Sequence, residues 1–181
     1  MRYIVITLPE FFDGEAQAIT DKFEAGLEIL HLRKPGSTVE SMRALLDAIP
    51  ARWHGRIVIH DHFELIKEYG LKGVHLSSRN PLPPTGWTGH VSTSCHSIDE
   101  LARRKSEGYA YLSLSPIFDS VSKVGYKAAF TPEQLRQAAA DGIIDSSVMA
   151  LGGITRDNTQ QAIEYGFGGV MVLGDAWRKP Y

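Results

Sequence analysis

Between Ser147 and Gly174 the chain reads SVMALGGITRDNTQQAIEYGFGGVMVLG, two short apolar runs set one helix apart and each followed by glycine. Val148 to Leu151 and Gly169 to Leu173 lack polar alternation, so neither reads as a strand with one wet face. Strands buried on both faces belong to parallel sheets covered by helices, and the stretch from about Asp157 to Tyr165 supplies one such helix. This β-α-β unit constrains the fold more than any other feature. A parallel sheet places its chemistry at the carboxyl ends of its strands, where Gly152-Gly153 and Gly174-Asp175 stand. Glycine leaves backbone N–H groups uncovered there, and two neighbouring turns of this kind can wrap a phosphate. Either pair taken alone reads more readily as a plain tight turn; the two together, one helix apart, bring the two readings level.

The same unit recurs upstream. Arg2 to Thr7, Leu27 to Leu32, Arg56 to His60, Gly73 to Leu76, His90 to Ser94 and Tyr109 to Leu114 each read as a strand. Between them, Glu15 to Ala25 has helical spacing, and Ser37 or Thr38 caps a helix carrying Met42, Leu45, Leu46 and Ile49. Asp61 is expected to cap a short helix from Phe63 to Tyr69. Ser97 and Glu100 form a capping-box pattern for a helix reaching about Gly108, and Pro132 opens another reaching about Ala140. Ser77 to Gly89 and Ser115 to Phe130 read as loops, the second long enough to suggest function. Eight strands alternating with about seven helices predict one α/β domain over residues 1–181, a trimmed (β/α)8 TIM barrel. At 181 residues the chain is below the roughly 200 at the low end of that fold. Short or missing helices are therefore expected after strands 4 and 8. A doubly wound open sheet would want a nucleotide-binding turn after strand one, and Thr7-Leu8-Pro9-Glu10 does not supply it.

Composition narrows the chemistry. A net charge of −2 leaves no basic surplus for a nucleic-acid backbone, so any anion site must be local. The single cysteine, Cys95, excludes an intramolecular disulfide and a cysteine metal cluster. No segment has the roughly 18 apolar residues needed to cross a membrane, and MRYIVITLPEFF resembles a first strand more than a signal peptide. A cytoplasmic location is expected. The choice between a monomer and a homodimer stays open.

In a barrel the residues just after each strand converge on one mouth. Here they are Thr7, Arg33, Lys34, His60, Asp61, Ser77, Asn80, Ser94, Ser120, Ser122, Lys123, Gly153 and Gly174. Cations, hydroxyls and bare glycine backbone with one central carboxylate compose an anion pocket, whereas glycosidase chemistry needs two acids. Arg33 and Lys123 are the candidate phosphate-gripping cations, with surface charge as the alternative. Lys123 lies far from a strand end, which disfavours a Schiff-base role. Asp61 can hold Mg²⁺ bridged to substrate phosphates. His31 is expected to point into the barrel and His75 to be a hydrogen-bonded core residue. The histidines lack the spacing of a structural zinc site.

Several segments carry a resemblance over nearly the whole chain: LRK at 32–34, IVIHD at 57–61, LKGVHLSS at 71–78, STSCHSIDEL at 92–101, SPIFDSVSK at 115–123 and MALGGI at 149–154. Together they resemble the thiamine phosphate synthase and TenI-type thiazole tautomerase family. That resemblance implies a barrel joining an aminopyrimidine methyl diphosphate to a thiazole phosphate, with Mg²⁺ and loss of diphosphate. It implies that Arg33 and Lys123 hold diphosphate, with Lys34, His60, Ser120 and Ser122 also on the substrate. It further implies that Asp61, with Asn80, holds Mg²⁺ and that Ser94 sits by the pyrimidine carbon. Gly153, Leu173 and Gly174 would bind the thiazole phosphate. The chain departs from the synthase pattern at Pro35 (a lysine), His60 (an asparagine) and Asn80 (an aspartate). It departs from the tautomerase pattern at Pro116 (a histidine). A synthase, a tautomerase using His60 or His31, and a non-catalytic binder of thiazole or thiamine phosphate therefore all remain open.

Overall fold

The computed structural model describes residues 1–119 and 127–178. Eight parallel strands close into a barrel in chain order. They are β1 (Arg2–Ile6), β2 (Ile29–Leu32), β3 (Ile57–Ile59), β4 (Gly73–Leu76), β5 (His90–Cys95), β6 (Tyr111–Leu114), β7 (Val148–Leu151) and β8 (Gly169–Val172). The helices are α1 (Glu15–Glu24), α2 (Val39–Ala48), α3 (Leu65–Tyr69), α4 (Ile98–Arg104), α5 (Pro132–Ala140) and α6 (Thr159–Glu164). The expected trimming is present: among the described residues no helix stands between β4 and β5, and β8 is followed only by a 3-10 turn, Gly174–Trp177. Among the described residues no helix is long and apolar enough to cross a membrane.

Local capping explains most helix starts. The Thr38 hydroxyl accepts from the N–H of Ser41 at 3.2 Å, and the Thr131 hydroxyl with Gln134 makes a reciprocal capping box. Ser97 accepts from the N–H of Glu100, whose carboxylate accepts from the N–H of His96 one residue before the cap. Asp61 does not cap α3, contrary to expectation. His62 adopts a left-handed φ of 55° and turns the chain, and the Asp61 carboxylate is engaged by Asn80 instead. α3 begins at Leu65 with no side-chain cap.

Contacts within the barrel fall into two compact units, Val5–Val91 and Met1–Ile4 with Ser92–Tyr181. In the first, Leu30, Leu32, Ile57 and Ile59 are fully buried, as are Ile19, Met42 and Leu46 of α1 and α2. Side chains alternate faces along a strand, so the positions between these residues face the other way. His31 pairs with Val58, and Val58 with Gly73, which carries forward to His60 opposite His75. Those three imidazoles are buried against one another: His60 and His75 stack with centroids 4.5 Å apart, and His31 meets both edge-on. Burial is the main cause that holds all three rings neutral, His31 and His60 well below their usual pKa and His75 pushed down to about 3.

In the second unit, Leu101, Leu112, Leu135, Val148, Ala162 and Val170 belong to the core between strands and helices. The intervening strand positions are hydroxyl-rich, with Ser113 donating to Ser94 at 3.1 Å. Gly152 and Gly153 have φ of 91° and 66°, and a Cβ on Gly153 would stand 2.5 Å from the carbonyl oxygens of Phe118 and Asp119. Both positive φ and close backbone approach demand glycine there.

Two stability measurements check these arrangements. Lys34 is fully buried on Glu15, so Lys34→Met is expected to cost about 3–5 kcal/mol in urea unfolding by stranding the carboxylate. Adding Glu15→Gln should recover part of that loss, since the charge is removed while the carbonyls bonded by Lys34 stay unsatisfied. The histidine cluster sets the acid side. Unfolded imidazoles titrate near 6.5, above the folded values, so the unfolded chain takes up protons first as pH falls. For His75 this stability is therefore fully present above about pH 6.5 and lost progressively toward about pH 3, by up to roughly 1.4 kcal/mol per pH unit, and His31 and His60 act in the same direction. Urea midpoints at pH 7.5 and pH 5 should show the drop, and His75→Gln should shrink it.

Candidate active site

In the Val5–Val91 unit the carboxyl ends of β2, β3 and β4 carry the polar residues. Arg33 follows β2, and its backbone is clamped by Thr7, whose hydroxyl accepts from the Arg33 N–H at 2.9 Å and donates to the Arg33 carbonyl at 3.1 Å. Its half-buried guanidinium makes no side-chain hydrogen bond or ion pair among the described residues. Burial lowers its pKa, the positive charge of Arg79 lowers it further, and Asp61 acts in the opposite direction. A guanidinium that faces a second one, with a carboxylate beside it, makes a positive field for an anion. Arg79 was not among the sequence candidates. The signal for it was its position beside Asn80, in a turn where the Ser77 N–H donates to the Asn80 carbonyl.

That turn fixes Asn80 against β3. Its side-chain amide donates to the His60 carbonyl at 2.9 Å and to Asp61 Oδ1 at 2.8 Å. Asp61 Oδ2 is buried with no hydrogen-bond partner among the described residues. An unsatisfied buried carboxylate oxygen costs free energy unless a cation or donor meets it. Asp61 Oδ2 and the amide oxygen of Asn80 are oxygen donors of the kind Mg²⁺ takes, with the remaining positions left to water and phosphate oxygens. The residues thus fit one divalent ion. An aspartate at position 80 would repel Asp61 in the absence of metal, whereas asparagine holds it in place.

Lys34 is corrected from a substrate-binding cation to a structural one. Its ammonium donates to the carbonyls of Leu8 and Glu10 at 2.9 and 2.8 Å and to Glu15 at 2.5 Å, which uses all three N–H bonds. The neighbour of Arg33 alternates to the opposite face, and there it ties β2 to α1. Pro35, the next residue on, is half-buried. The His60 ring turns inward, with Nε2 2.9 Å from His31 Nδ1. Sequence spacing hid this cluster because its members lie on three strands. The available signal was their shared parity at the ends of consecutive strands.

The second unit holds the remaining candidates. Ser94, near the end of β5, receives the hydrogen bond from Ser113. The Gly153 carbonyl accepts from Asn158 at 2.8 Å, and the Asn158 side-chain oxygen accepts from the Thr155 N–H at 2.8 Å, so one side chain pins the whole turn after β7. The Gly153 N–H is not consumed by this arrangement. Leu173 leads into the 3-10 turn that Gly174 opens, and the first N–H groups of such a turn have no partner within it. Asp175 stands in the same turn, but its carboxylate accepts from the Arg156 N–H at 3.1 Å and faces Arg178. Pro116 packs under Gly152, whose Cβ would approach the Pro116 Cα to 2.7 Å. Ser120, Ser122 and Lys123 lie outside the described residues, as does the middle of the expected functional segment of the 115–130 loop, residues 120–126.

Comparison with known proteins bears directly on these features. The family model described as thiamine monophosphate synthase matches residues 3–175. The thiamine-phosphate synthase of Shouchella clausii is 25% identical over 182 aligned residues, covering 95% of this chain and 86% of its own length. That of Serratia proteamaculans is 29% identical over 166, covering 87% and 77%. Among solved structures, a thiamine phosphate pyrophosphorylase from Bacteroides thetaiotaomicron is 48% identical with a TM-score of 0.89, covering all of this chain and 87% of that one. A barrel with this strand order and trimming, matched by the family model from β1 to the turn after β8, belongs to the thiamine monophosphate synthase family.

Proposed function

We propose that this chain carries out a thiamine-phosphate synthase reaction, joining 4-amino-2-methyl-5-pyrimidinylmethyl diphosphate to a thiazole phosphate with release of diphosphate. The observation that carries this reading is Asp61 Oδ2, buried and without a hydrogen-bond partner among the described residues, on a carboxylate held by Asn80 and felt by Arg33, which Arg79 also faces. A leaving diphosphate gathers negative charge as its C–O bond breaks, and the thiazole nitrogen then supplies the electron pair for the new C–N bond. Preorganised cations at the departing oxygens are what such a step requires. Arg33, fixed through its backbone by Thr7, is assigned to those oxygens, with Arg79 adding to its field. Lys123, Ser120 and Ser122 are assigned there by family resemblance. Bound Mg²⁺, held by Asp61 and the amide oxygen of Asn80, would offset charge on the diphosphate. Ser94 is assigned to the pyrimidine carbon. The Gly153 N–H and the first N–H groups of the turn from Leu173 and Gly174 are assigned to the thiazole phosphate.

The departures from the synthase pattern acquire a physical content under this reading. Asn80 removes one acidic metal ligand, so a single strong carboxylate, Asp61, serves one Mg²⁺. Pro35 removes a cation that Lys34 does not replace, because Lys34 is sealed on Glu15. Arg79 supplies positive charge from a different strand end. The electrostatic support of the leaving group is thereby moved from metal toward guanidinium.

The purified protein, mixed with both phosphorylated precursors and Mg²⁺, is expected to form thiamine phosphate and diphosphate in equal amounts. Arg33→Ala and Asp61→Ala should each lower kcat/KM by about 100- to 1,000-fold, the scale of losing one preorganised electrostatic group. Asn80→Asp should lower the Mg²⁺ concentration needed for half-maximal rate. Absence of thiamine phosphate at every Mg²⁺ concentration would overturn the assignment. In that case isomerisation of the thiazole phosphate alone would identify a tautomerase, and tight binding without turnover a binding protein.

A further inference from the structure

His31, His60 and His75 offer one ligand nitrogen each, and these nitrogens all lie within 4.8 Å of one another. His31 Nδ1 and His60 Nε2 are already 2.9 Å apart. Three imidazoles bound to a tetrahedral ion at about 2.0–2.1 Å bring their nitrogens roughly 3.4 Å from each other. Small ring rotations span that difference. The three backbones are held in register, His31 on β2, His60 directly after β3 and His75 on β4. A site on strands is also better preorganised than one on loops. Relative exposures of 0%, 7% and 2% leave His60 as the side from which an ion can enter.

We propose that His31, His60 and His75 form a three-histidine site for one divalent transition-metal ion of the zinc type. Imidazole nitrogen selects zinc, cobalt, nickel or copper, whereas Mg²⁺ takes oxygen, so this site is chemically distinct from the Asp61–Asn80 pair. Three protein ligands leave a coordination position for an outside group. The charged groups facing the cluster are Arg33, which acts on His60 and His75, and Arg79, which acts on His60, and both oppose a cation there; a fourth imidazole, His90, faces His31 and His75. Removing the Arg33 charge should therefore tighten the metal. The inference does not rest on the synthase reading, and its test needs no turnover.

The full-length chain, stripped with a chelator, is titrated with Zn²⁺ in a calorimeter and with Co²⁺ by visible absorption. One equivalent of Zn²⁺ is expected, together with the intense d–d bands of tetrahedral Co²⁺, neither displaced by excess Mg²⁺. His60→Asn and His75→Gln, with folding checked by circular dichroism, should each weaken Zn²⁺ by at least the roughly 10- to 100-fold that loss of a mere supporting partner costs a metal site. Arg33→Gln should strengthen it, and Asp61→Asn should not abolish it. The proposal is overturned if no equivalent binds, or if binding persists unchanged in both histidine variants. Should either variant fail to fold, an octahedral Co²⁺ spectrum in the unmodified protein overturns it alone.

Discussion

Everything in this molecule depends on the period-two alternation of a parallel ladder. Once Leu30 and Leu32 are committed to the helix-covered side, His31 and Arg33 must face the other way. Once Ile57 and Ile59 are committed, Val58 and His60 follow them. The residues opposite the apolar ones are then stacked by register alone, with His60 carried level with His75 and the polar groups gathered at the strand ends. No side-chain interaction chooses this arrangement. A one-residue slip of β3 would exchange Ile59 for His60 and place an imidazole among α-helical side chains.

Within that frame residues 33 and 34, just after β2, show how strongly parity divides similar residues. Arg33 and Lys34 are both cations at the same strand end, yet Arg33 keeps its guanidinium uncommitted while Lys34 spends three donors on Leu8, Glu10 and Glu15. Burial raises the Glu15 pKa and lowers that of Lys34, so both partners are pushed toward neutrality and the bond between them works against that push. Such a pair contributes geometry more than net stability: it fixes the loop between β1 and α1 against β2. Thr7 does the same for Arg33 through backbone bonds.

The fold was legible because its signals are local. Short unalternated runs, caps at Thr38, Ser97 and Thr131, and the lack of helical pattern in Ser77 to Gly89 each dictate one element, and the barrel is their sum. Asp61 shows where local reading fails. Its spacing before Phe63 suits a cap, but the left-handed φ of His62 and the amide of Asn80, nineteen residues away, take the carboxylate elsewhere. The histidine cluster and Arg79 were missed for the same reason. Their partners are set by register and by a turn fixed on another strand, which spacing along one strand does not reveal. Gly152 and Gly153 were legible as special, but their first cause is packing against residues 116–119 and positive φ, with any phosphate contact built on top.

Asn80 then links the polar end to the core. Its amide bonds the His60 carbonyl and Asp61 together, so one side chain sets both the main chain that carries an imidazole and the carboxylate that awaits a cation. A second carboxylate at this position would offer more charge to a metal but would have no proton to give either acceptor, and Asp61 would be held only when the ion was present. With asparagine the arrangement is preformed, and preformed charge is what a departing anion feels without further reorganisation. The guanidiniums of Arg33 and Arg79 act in the same sense, as permanent charges that no change of pH in the working range removes. Under the proposed function, support of the leaving group thereby shifts from an adjustable, metal-dependent field toward a fixed one. The inward His60, tied to Asn80 through its own carbonyl, places a neutral imidazole directly behind that fixed field, because burial and the like charges of Arg33 and Arg79 disfavour its protonation.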